Sequence, residues 1–405
     1  MTELPQNWIE CEFEKCIEKI NTRNKVKQKE YLEKGLFPVI DQGHNLIGGY
    51  SNNKEYVISI KSPVVIFGDH TRCFKYIDFD FIAGADGTKI LKPISCFNEK
   101  LFYYFCKVIE LPNKGYSRHF QYLLKSRINV PPLNEQKRIV NKLDAIIPKV
   151  DEVNARLDRV PLILKRARQS ILNQAITGEL TKDWRKGHNI NTPWEETTIN
   201  SIVLSYKNGL SKRSGKEGKE TVVLRLADLC NHKIIRDNIR EIKITENEAQ
   251  QYKLDYNDML VIRVNGSEDI VGRFILYDIN EDWIYCDHLI RLKYDTTKID
   301  PYYLYFYAQT NIVREYIKAN MVSSAGQNTI NQGTIDNIPL MLPKLEEQEE
   351  IVRRVKKIFE KLDKVEERYK KAKSYTDKVT QSILHKAFTG NLLPQDPNDK
   401  PIELL

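Results

Sequence analysis

Residues 131–180 read PPLNEQKRIVNKLDAIIPKVDEVNARLDRVPLILKRARQSILNQAITGEL, and residues 343–392 read PKLEEQEEIVRRVKKIFEKLDKVEERYKKAKSYTDKVTQSILHKAFTGNL. The two segments align without a gap and are identical at 19 of 50 positions. An internal repeat of this length sets the architecture of a chain. The sequence therefore predicts that one structural plan is used twice, each time ending in the same kind of helix.

Both copies place apolar residues at alternating steps of four and three. This spacing continues for more than four heptads, which is typical of coiled-coil helices. At 1.5 Å per residue, the apolar stripe of each helix spans about 48 Å. The two helices are natural partners for each other. The alternative is that each helix pairs with another protein. The predicted coiled-coil residues are Ile139, Leu143, Ile146, Val150, Val153, Leu157, Leu164, Ile171, Ile351, Val355, Ile358, Leu362, Val365, Tyr369, Val379 and Ile383.

Both helices carry recognisable end signals. Glu135, Glu346 and Glu347 lie in the first turns, where the positive end of the helix dipole favours acidic residues. Gly178 and Gly390 follow the last turns, as glycine often does at a helix C-terminus. We therefore expect both helices to end at these glycines.

Two prolines interrupt the first helix. Pro148 and Pro161 lie inside its apolar pattern, and a proline inside a helix costs about 3 kcal/mol. The second copy has no proline in the corresponding stretch. We therefore expect the first helix to be kinked or broken and the second to be straighter.

The 162 residues between the two repeats are too many for a hairpin loop, so they form a domain. Both this segment and the first 130 residues contain short runs rich in Val, Ile, Tyr and Phe, bounded by Gly, Asn and Asp. The predicted fold is α+β, with two mixed α/β domains, two long helices and an internal pseudo-twofold repeat. The predicted boundaries are 1–130, 131–185, 186–342, 343–395 and a tail at 396–405.

The composition excludes several classes of protein. The chain has 405 residues, 41% of them apolar, and a net charge of +8. No run of 18 apolar residues exists, and the N-terminus lacks the pattern of a signal peptide. Seven scattered cysteines favour free thiols in a reducing compartment. We therefore expect a cytoplasmic protein with no membrane association.

Motifs for catalysis and cofactors are missing from the sequence. The segment from Gly209 to Glu217 has the wrong spacing for a phosphate-binding loop, and Asn129-Val-Pro-Pro-Leu133 only superficially resembles a methyltransferase motif. Cys230-x-His232 and Cys286-x-His288 could supply four zinc ligands, but such short pairs are a weak signal. We expect no catalytic residue, no cofactor and no metal.

Polar loops between apolar runs are the candidate sites for a polyanion. Residues 207–240 hold nine basic and four acidic residues, and flexible basic loops suit phosphate contacts. Arg and Asn are also the residue types that bind guanine and adenine edges with two hydrogen bonds. A solvated surface loop is the alternative for each segment. The candidate DNA-binding residues are Gln42, His44, His70, Arg72, Lys75, Lys89, Lys207, Lys212, Arg213, Lys216, Arg225, Arg263, Asn265, Ser267, Arg273, Gln327 and Asn328.

The duplicated Pro-Leu-x-Glu-Gln-x-x-Ile-Val helix, ending in Gln-Ser-Ile-Leu-x-x-Ala-x-Thr-Gly-x-Leu, resembles the conserved regions of the DNA specificity subunit of type I restriction–modification enzymes. The resemblance covers the whole chain in its four-part order. Lys344, where the first copy has Pro132, is a small departure.

This resemblance implies a function. Each globular domain would be a target-recognition domain that reads one half of a split sequence in double-stranded DNA. The two helices would pack antiparallel, hold the domains apart and bind two methyltransferase subunits, and restriction subunits would join the assembly. A span of about 48 Å corresponds to about 14 base pairs, an upper bound on the spacing. A coiled-coil scaffold, or an accessory DNA-binding protein without a restriction role, is the alternative.

Overall fold

The computed structural model describes residues 4–20, 24–85, 87–112, 115, 117–215 and 217–402. Lys216, one of the candidate DNA-binding residues, lies outside the described residues. The chain divides into two compact units. Unit 1 consists of residues 1–158 and 369–405, and unit 2 consists of residues 159–368.

Unit 1 combines short strands with helices. Its strands are β1 (Ile9–Glu12), β2 (Ile17–Ile20), β3 (Phe37–Ile40), β4 (Gly49–Ser51), β5 (Val57–Ile58), β6 (Val64–Gly68), β7 (Phe74–Ile77), β8 (Phe81–Ala83), β9 (Thr88–Pro93) and β10 (Arg127–Val130). Its helices are α1 (Glu99–Cys106), α2 (Phe120–Leu124) and α3 (Leu133–Leu157), together with the last part of the long helix of residues 345–388.

Unit 2 begins with α4 (Val160–Ile176) and α5 (Lys182–Gly187). Its strands are β11 (Glu195–Thr198), β12 (Val203–Asn208), β13 (Lys219–Leu224), β14 (Leu229–Cys230), β15 (Lys233–Ile234), β16 (Arg240–Ile244), β17 (Asp258–Ile262), β18 (Val264–Asn265), β19 (Phe274–Tyr277), β20 (Ile284–Tyr285), β21 (Leu289–Tyr294), β22 (Val322–Ser324), β23 (Gln327–Thr329) and β24 (Pro339–Leu342). The remaining helices are α6 (Glu246–Tyr252), α7 (Pro301–Tyr307), α8 (Asn311–Asn320), α9 (Gln332–Asp336) and α10 (Leu345–Phe388), whose first part belongs to unit 2.

The largest antiparallel sheet has the same topology in both units. Unit 1 has an antiparallel sheet in the order β2-β9-β6-β7, and unit 2 has one in the order β12-β21-β17-β19. A second sheet in each unit contains one parallel pair, β3 with β8 in unit 1 and β13 with β20 in unit 2. An antiparallel pair, β1 with β10 or β11 with β24, joins the start of each domain to the strand before its long helix. The predicted α+β fold with an internal repeat is confirmed.

Strand β6 is buried on both faces because it lies between two cores. Successive side chains of a strand point to opposite faces. Val65 and Phe67 pack in the core that contains α1, whereas Val64 and Ile66 pack in a core with residues of the second sheet. In unit 2, β17 divides its side chains between two cores in the same way. The continuous apolar runs of these strands follow from this double burial.

The Glu-Gln pair of the repeated motif fastens the start of α3 to the domain in unit 1. Glu135 is buried and accepts hydrogen bonds from Trp8 Nε1 (2.9 Å) and Gln395 Nε2 (2.9 Å). The side-chain oxygen of Gln136 accepts a hydrogen bond from the backbone N–H of Asn98 (2.7 Å) at the start of α1. The motif therefore joins the N-terminal strand region, helix α1, helix α3 and the C-terminal tail within one unit.

Unit 2 repeats this arrangement at the start of α10. Glu347 is buried and accepts hydrogen bonds from Trp194 Nε1 (2.9 Å) and from the Arg185 guanidinium (3.1 Å). The side-chain oxygen of Gln348 accepts a hydrogen bond from the backbone N–H of Asp300 (2.8 Å). The two copies differ in charge, because Glu347 has a cationic partner where Glu135 has the neutral amide of Gln395.

The long helices pack antiparallel within each unit. In unit 1, Asn154 Oδ1 accepts a hydrogen bond from Thr376 Oγ1 (2.7 Å), and the Asp158 carboxylate lies 2.9 Å from Lys373 Nζ. In unit 2, the Arg168 guanidinium pairs with Asp363 and Glu366 of α10. The Arg354 guanidinium of α10 donates a hydrogen bond to the backbone oxygen of Leu180, which follows the end of α4 (2.8 Å). Rising numbers on one helix meet falling numbers on the other, which defines the antiparallel direction.

Burial along the predicted coiled-coil stripe is uneven. Ile139, Leu143, Leu164, Ile351 and Val355 are buried, and most of the other predicted positions are partly buried. Two positions depart from the prediction, because the side chains of residues 153 and 365 are 45% and 44% exposed. Polar and ionic contacts between the helices, which a heptad count does not reveal, supplement the apolar contacts along this stripe.

The helix breaks agree in part with the prediction from proline. Helix α3 ends at Leu157 and α4 begins at Val160, so Pro161 lies in the first turn of a new helix. Pro148 lies inside α3, which continues through it, and α10 is continuous. Gly178 and Gly390 follow the helix ends with φ of +74° and +72°, the left-handed conformation that glycine adopts readily.

Candidate nucleic-acid interface

In unit 2, a small sheet brings two of the predicted loops together. Strand β18 pairs with β23 in the hairpin β22–β23, so Asn265 lies opposite Asn328. Asn328 Nδ2 donates a hydrogen bond to the backbone oxygen of Gly266 (3.2 Å), and the backbone N–H of Ile330 donates to the oxygen of Arg263 (3.0 Å). Candidate residues that lie about 60 positions apart in sequence therefore belong to one surface.

A third loop adjoins this sheet through the turn at residues 286–288. The backbone N–H of Arg263 donates to the oxygen of His288 (2.8 Å), and the N–H of Asp287 donates to the oxygen of Leu210 (3.1 Å). The Asp287 carboxylate lies 3.2 Å from the Arg213 guanidinium. The basic loop after β12, the turn at 286–288 and the β18–β23 sheet thus form one polar surface, which we call the unit 2 loop surface.

Most of the candidate cations of unit 2 already have partners inside the protein. Lys212 pairs with Glu248 (3.1 Å), Arg225 binds the buried Asp228 (2.7 Å), and the Arg273 Nε–H donates to the backbone oxygen of Asp269 (2.7 Å). Lys207 lies over the ring of Tyr252, and burial together with the nearby Arg291 lowers its pKa. These side chains stabilise the loops that carry them.

The polar residues Asn265, Ser267 and Gln327 lie at the turns of the loop surface. Asn265 Oδ1 accepts a hydrogen bond from the backbone N–H of Ser267 (2.8 Å), which fixes the turn after β18. The Ser267 hydroxyl in turn accepts from the N–H of Asp269 (3.3 Å). Gln327 is exposed, beside Ala325 and Gly326, which have positive φ at the tip of the hairpin.

Unit 1 builds a similar polar loop cluster after β6. The Gln42 side-chain oxygen accepts a hydrogen bond from the backbone N–H of His70 (3.2 Å), and the Gln42 backbone oxygen accepts one from the Thr71 hydroxyl (2.5 Å). His44 Nδ1 lies 3.1 Å from Cys73 Sγ. Arg72 has a φ of +62° in this turn. Its guanidinium has no partner among the residues that the structure describes. The loops that begin at 41 and 68 therefore form one surface.

Two candidate lysines of unit 1 lie beneath these loops. Lys75 is only 5% exposed, and its ammonium is 3.4 Å from the Asp41 carboxylate. Burial lowers the pKa of Lys75, and the neighbouring Asp41 opposes that shift. The ammonium of Lys89 lies 5.3 Å from the centroid of the Phe120 ring. In this structure Lys75 supports the loop that contains Asp41 and does not face solvent.

The two Cys-x-His pairs that could have formed a zinc site do not lie together in the described structure. Among the described residues, one group of close potential ligands contains Cys286, Asp287 and His288, and it does not include Cys230 or His232. The ring nitrogen of His232 lies 3.0 Å from the backbone oxygen of Phe274, and burial lowers its pKa to about 4.

Two further basic residues, which are not among the DNA-binding candidates, lie at these surfaces. His288 faces the Asp287 carboxylate, 3.2 Å away, on the unit 2 loop surface. Arg118 is exposed beside Ser117, whose backbone oxygen lies 3.2 Å from His70 Nδ1. Only the general signal of a basic residue in a polar loop could have pointed to Arg118, because the contact that joins its loop to His70, through Ser117, spans 47 positions of sequence.

The described residues include no helix that is both long and apolar enough to cross a membrane. The model of the type I restriction modification DNA specificity domain matches residues 7–161 and 191–373. The chain therefore belongs to this family. The two matched ranges agree with the repeated sheet order of the two units.

Curated relatives carry the same family description. The chain is 43% identical over 275 residues to the type I restriction enzyme StySPI specificity subunit of Salmonella potsdam, covering 68% of this chain and 59% of the relative. It is 33% identical over 276 residues to the EcoKI specificity subunit of Escherichia coli K12, with the same two coverages. The match thus spans about 59% of the length of these relatives.

A solved structure from work on complex assembly and conformational transition of the type I R-M system has a similar fold. The TM-score is 0.63 at 16% sequence identity, and the match covers 97% of this chain and all of the other. At this identity the likeness supports the fold alone.

Proposed function

We propose that this chain is the DNA specificity subunit of a type I restriction–modification system and that it reads a split target in double-stranded DNA. In this proposal residues 1–130 and 186–342 are the two target-recognition domains. The helical regions 131–185 and 343–395 space these domains and recruit two methyltransferase subunits and the restriction subunits. The chain has no active site of its own and works in the cytoplasm.

The observation that carries the proposal is the repetition of one polar loop surface on one topology. Each unit places loops rich in Arg, His, Asn and Gln at the end of the strand pair β6–β7 or β17–β19. These side chains suit both phosphate contacts and hydrogen bonds to base edges. The residues in the two surfaces differ, which is expected if each reads a different half of a target. Family membership supports the same conclusion.

The decisive experiment maps N6-methyladenine across the genome of cells with and without this gene, in the presence of its methyltransferase. We expect one split methylated motif that depends on the gene. The purified complex should also bind a duplex carrying that motif with an affinity that falls linearly, on logarithmic axes, as salt rises, because phosphate contacts release counterions. A duplex with one scrambled half-site is the control.

A scaffold whose helices only join proteins would give neither result. Unchanged methylation, together with duplex binding that depends on neither salt nor sequence, would contradict the proposal and favour the scaffold. An accessory DNA-binding protein without a restriction role would bind the duplex but leave methylation unchanged.

A further inference from the structure

The arginines of the second domain differ in whether they have partners. Arg213 pairs with Asp287, Arg236 with Glu281 and Arg291 with Asp258, and others bind backbone oxygens. Arg225 also forms an ion pair, with Asp228. Three arginines donate to backbone oxygens: Arg240 to that of residue 213, Arg273 to that of residue 269, and Arg314 to those of residues 268 and 271. Across 186–215 and 217–342, Arg263 is the arginine whose guanidinium has no such partner.

The backbone of Arg263 is fixed although its side chain is unengaged. Its N–H donates to the oxygen of His288 (2.8 Å), and its oxygen accepts from the N–H of Ile330 (3.0 Å). Ile262, immediately before it, is buried. Because this backbone is already fixed, binding a ligand would order only the side chain of Arg263, which lowers the entropic cost of recognition.

The carboxylates near Arg263 already have other cations. Lys318 lies 3.3 Å from Glu268 and 2.7 Å from Asp269, and Asp287 lies beside Arg213. No described acidic group therefore holds the Arg263 guanidinium back from an external ligand. The Arg263 guanidinium can therefore bind an external anion or an external hydrogen-bond acceptor.

The neighbours of Arg263 favour a base edge over a phosphate alone. Asn265 follows two residues later on β18, and the exposed Gln327 lies on the paired strand β23. A planar guanidinium donates two parallel hydrogen bonds to guanine O6 and N7, and side-chain amides bind adjacent base edges. We infer that Arg263 reads a guanine in the half-site recognised by the second domain. This inference rests on the proposed function.

The test compares Arg263→Ala and Arg263→Lys with the wild-type complex. Wild-type methylation should show a split motif with a required guanine in one half. Arg263→Ala should make that position degenerate and leave the other half unchanged. Arg263→Lys keeps the charge but loses the two-pronged geometry, so it should relax the same position. Arg236→Ala, which removes an arginine paired with Glu281 on the same domain, is the matched control and should keep the full motif.

A chemical substitution in the DNA tests the contact directly. Replacing the required guanine by 7-deazaguanine removes the N7 acceptor, which should weaken binding by the wild-type complex about tenfold. The same replacement should cost the Arg263→Ala complex nothing further, since the donor is already absent. Thermal melting of each variant checks that it is folded, and Arg263→Lys provides the reading if the alanine variant is not.

The outcomes separate the two claims. If the wild-type complex shows a split motif that Arg263→Ala and Arg263→Lys leave intact, the inference is wrong and the proposed function stands. A wild-type motif without guanine in either half also overturns the inference alone. If the wild-type complex shows no split motif at all, both the inference and the proposed function fail.

Discussion

Two buried glutamates occupy equivalent positions in the two units, and their different partners have different energetic consequences. Glu135 accepts hydrogen bonds from two neutral donors, on Trp8 and Gln395. Glu347 accepts from Trp194 and Thr181 and also from the cationic Arg185. Removing one partner of a buried ion pair leaves the other charge without compensation, which costs more than losing a neutral hydrogen bond.

This difference predicts unequal effects of the same substitution. Glu347→Gln should lower the free energy of unfolding by about 2–4 kcal/mol, because Arg185 keeps its charge and loses its carboxylate. Glu135→Gln should change it by less than about 1 kcal/mol, because the Gln395 amide can turn to match the new donor. Denaturant unfolding of the two variants measures both values. Equal losses would contradict the assigned role of Arg185.

The Glu135→Gln variant also tests the environment of this carboxyl group through pH. Burial raises the pKa of Glu135 from its ordinary value of 4.5, although the hydrogen bonds from Trp8 and Gln395 oppose the shift. A pKa that is raised in the folded state stabilises the fold at pH values below the pKa of the unfolded state. This contribution is lost as pH rises through the pKa of the folded state. Wild type should therefore lose stability relative to the variant as pH rises above the ordinary pKa of 4.5. A constant difference in Tm would contradict this.

The residue-level roles were only partly predictable from sequence. The sequence places Glu135 and Glu347 in a first helical turn, and the helix dipole explains an acidic residue there. Their tryptophan partners lie 127 and 153 positions away, and no local pattern reveals such a contact. Residue type alone also could not separate Arg263, whose guanidinium has no partner among the described residues, from Arg225, which pairs with Asp228.

At the scale of elements, the heptad spacing predicted both long helices, and one of the two prolines, Pro161, predicted where the first one breaks. The spacing could not predict where the helix contact becomes polar, because that depends on which side chains face each other across the pair. The sheet order was also beyond the sequence, since the strands are short and pair with partners far along the chain. The continuous apolar runs of β6 and β17 did indicate buried strands.

The two prolines of the first long helix predict opposite results. Pro148 is exposed inside α3, where it removes the hydrogen bond to the oxygen of residue 144, so Pro148→Ala should raise the free energy of unfolding by about 1–3 kcal/mol. Pro161 lies in the first turn of α4, where its missing N–H has no helical acceptor, so Pro161→Ala should be neutral or slightly destabilising. Thermal unfolding of the pair measures both effects. A loss of stability in Pro148→Ala would contradict the view that Pro148 weakens α3.

At the scale of the whole molecule, the proposed function requires the helices to set the distance between half-sites. Residues 151–157 of α3 and 372–378 of α10 face each other through the Asn154–Thr376 hydrogen bond. Deleting both heptads shortens the helical region by about 10 Å, which corresponds to two or three base pairs. We expect the methylated motif to keep both half-sites and lose two or three base pairs of its gap.

Deleting residues 151–157 alone serves as the control, because it misaligns the facing heptads and should destabilise the protein without defining a new gap. A double deletion that is folded and active but keeps the original gap would contradict the spacing role. This prediction concerns the proposed function and does not depend on which residues contact bases.

Unit 1 is assembled from two stretches of chain that are synthesised far apart in time. Glu135 needs Gln395, Arg138 pairs with Asp399, and the core of unit 1 includes Leu384 and Phe388. Unit 2 is one continuous stretch. On the ribosome, unit 2 can therefore complete its core first, whereas the nascent unit 1 waits with an open apolar surface until about 240 further residues have emerged. Premature termination within α10 would leave that surface exposed to chaperones and proteases.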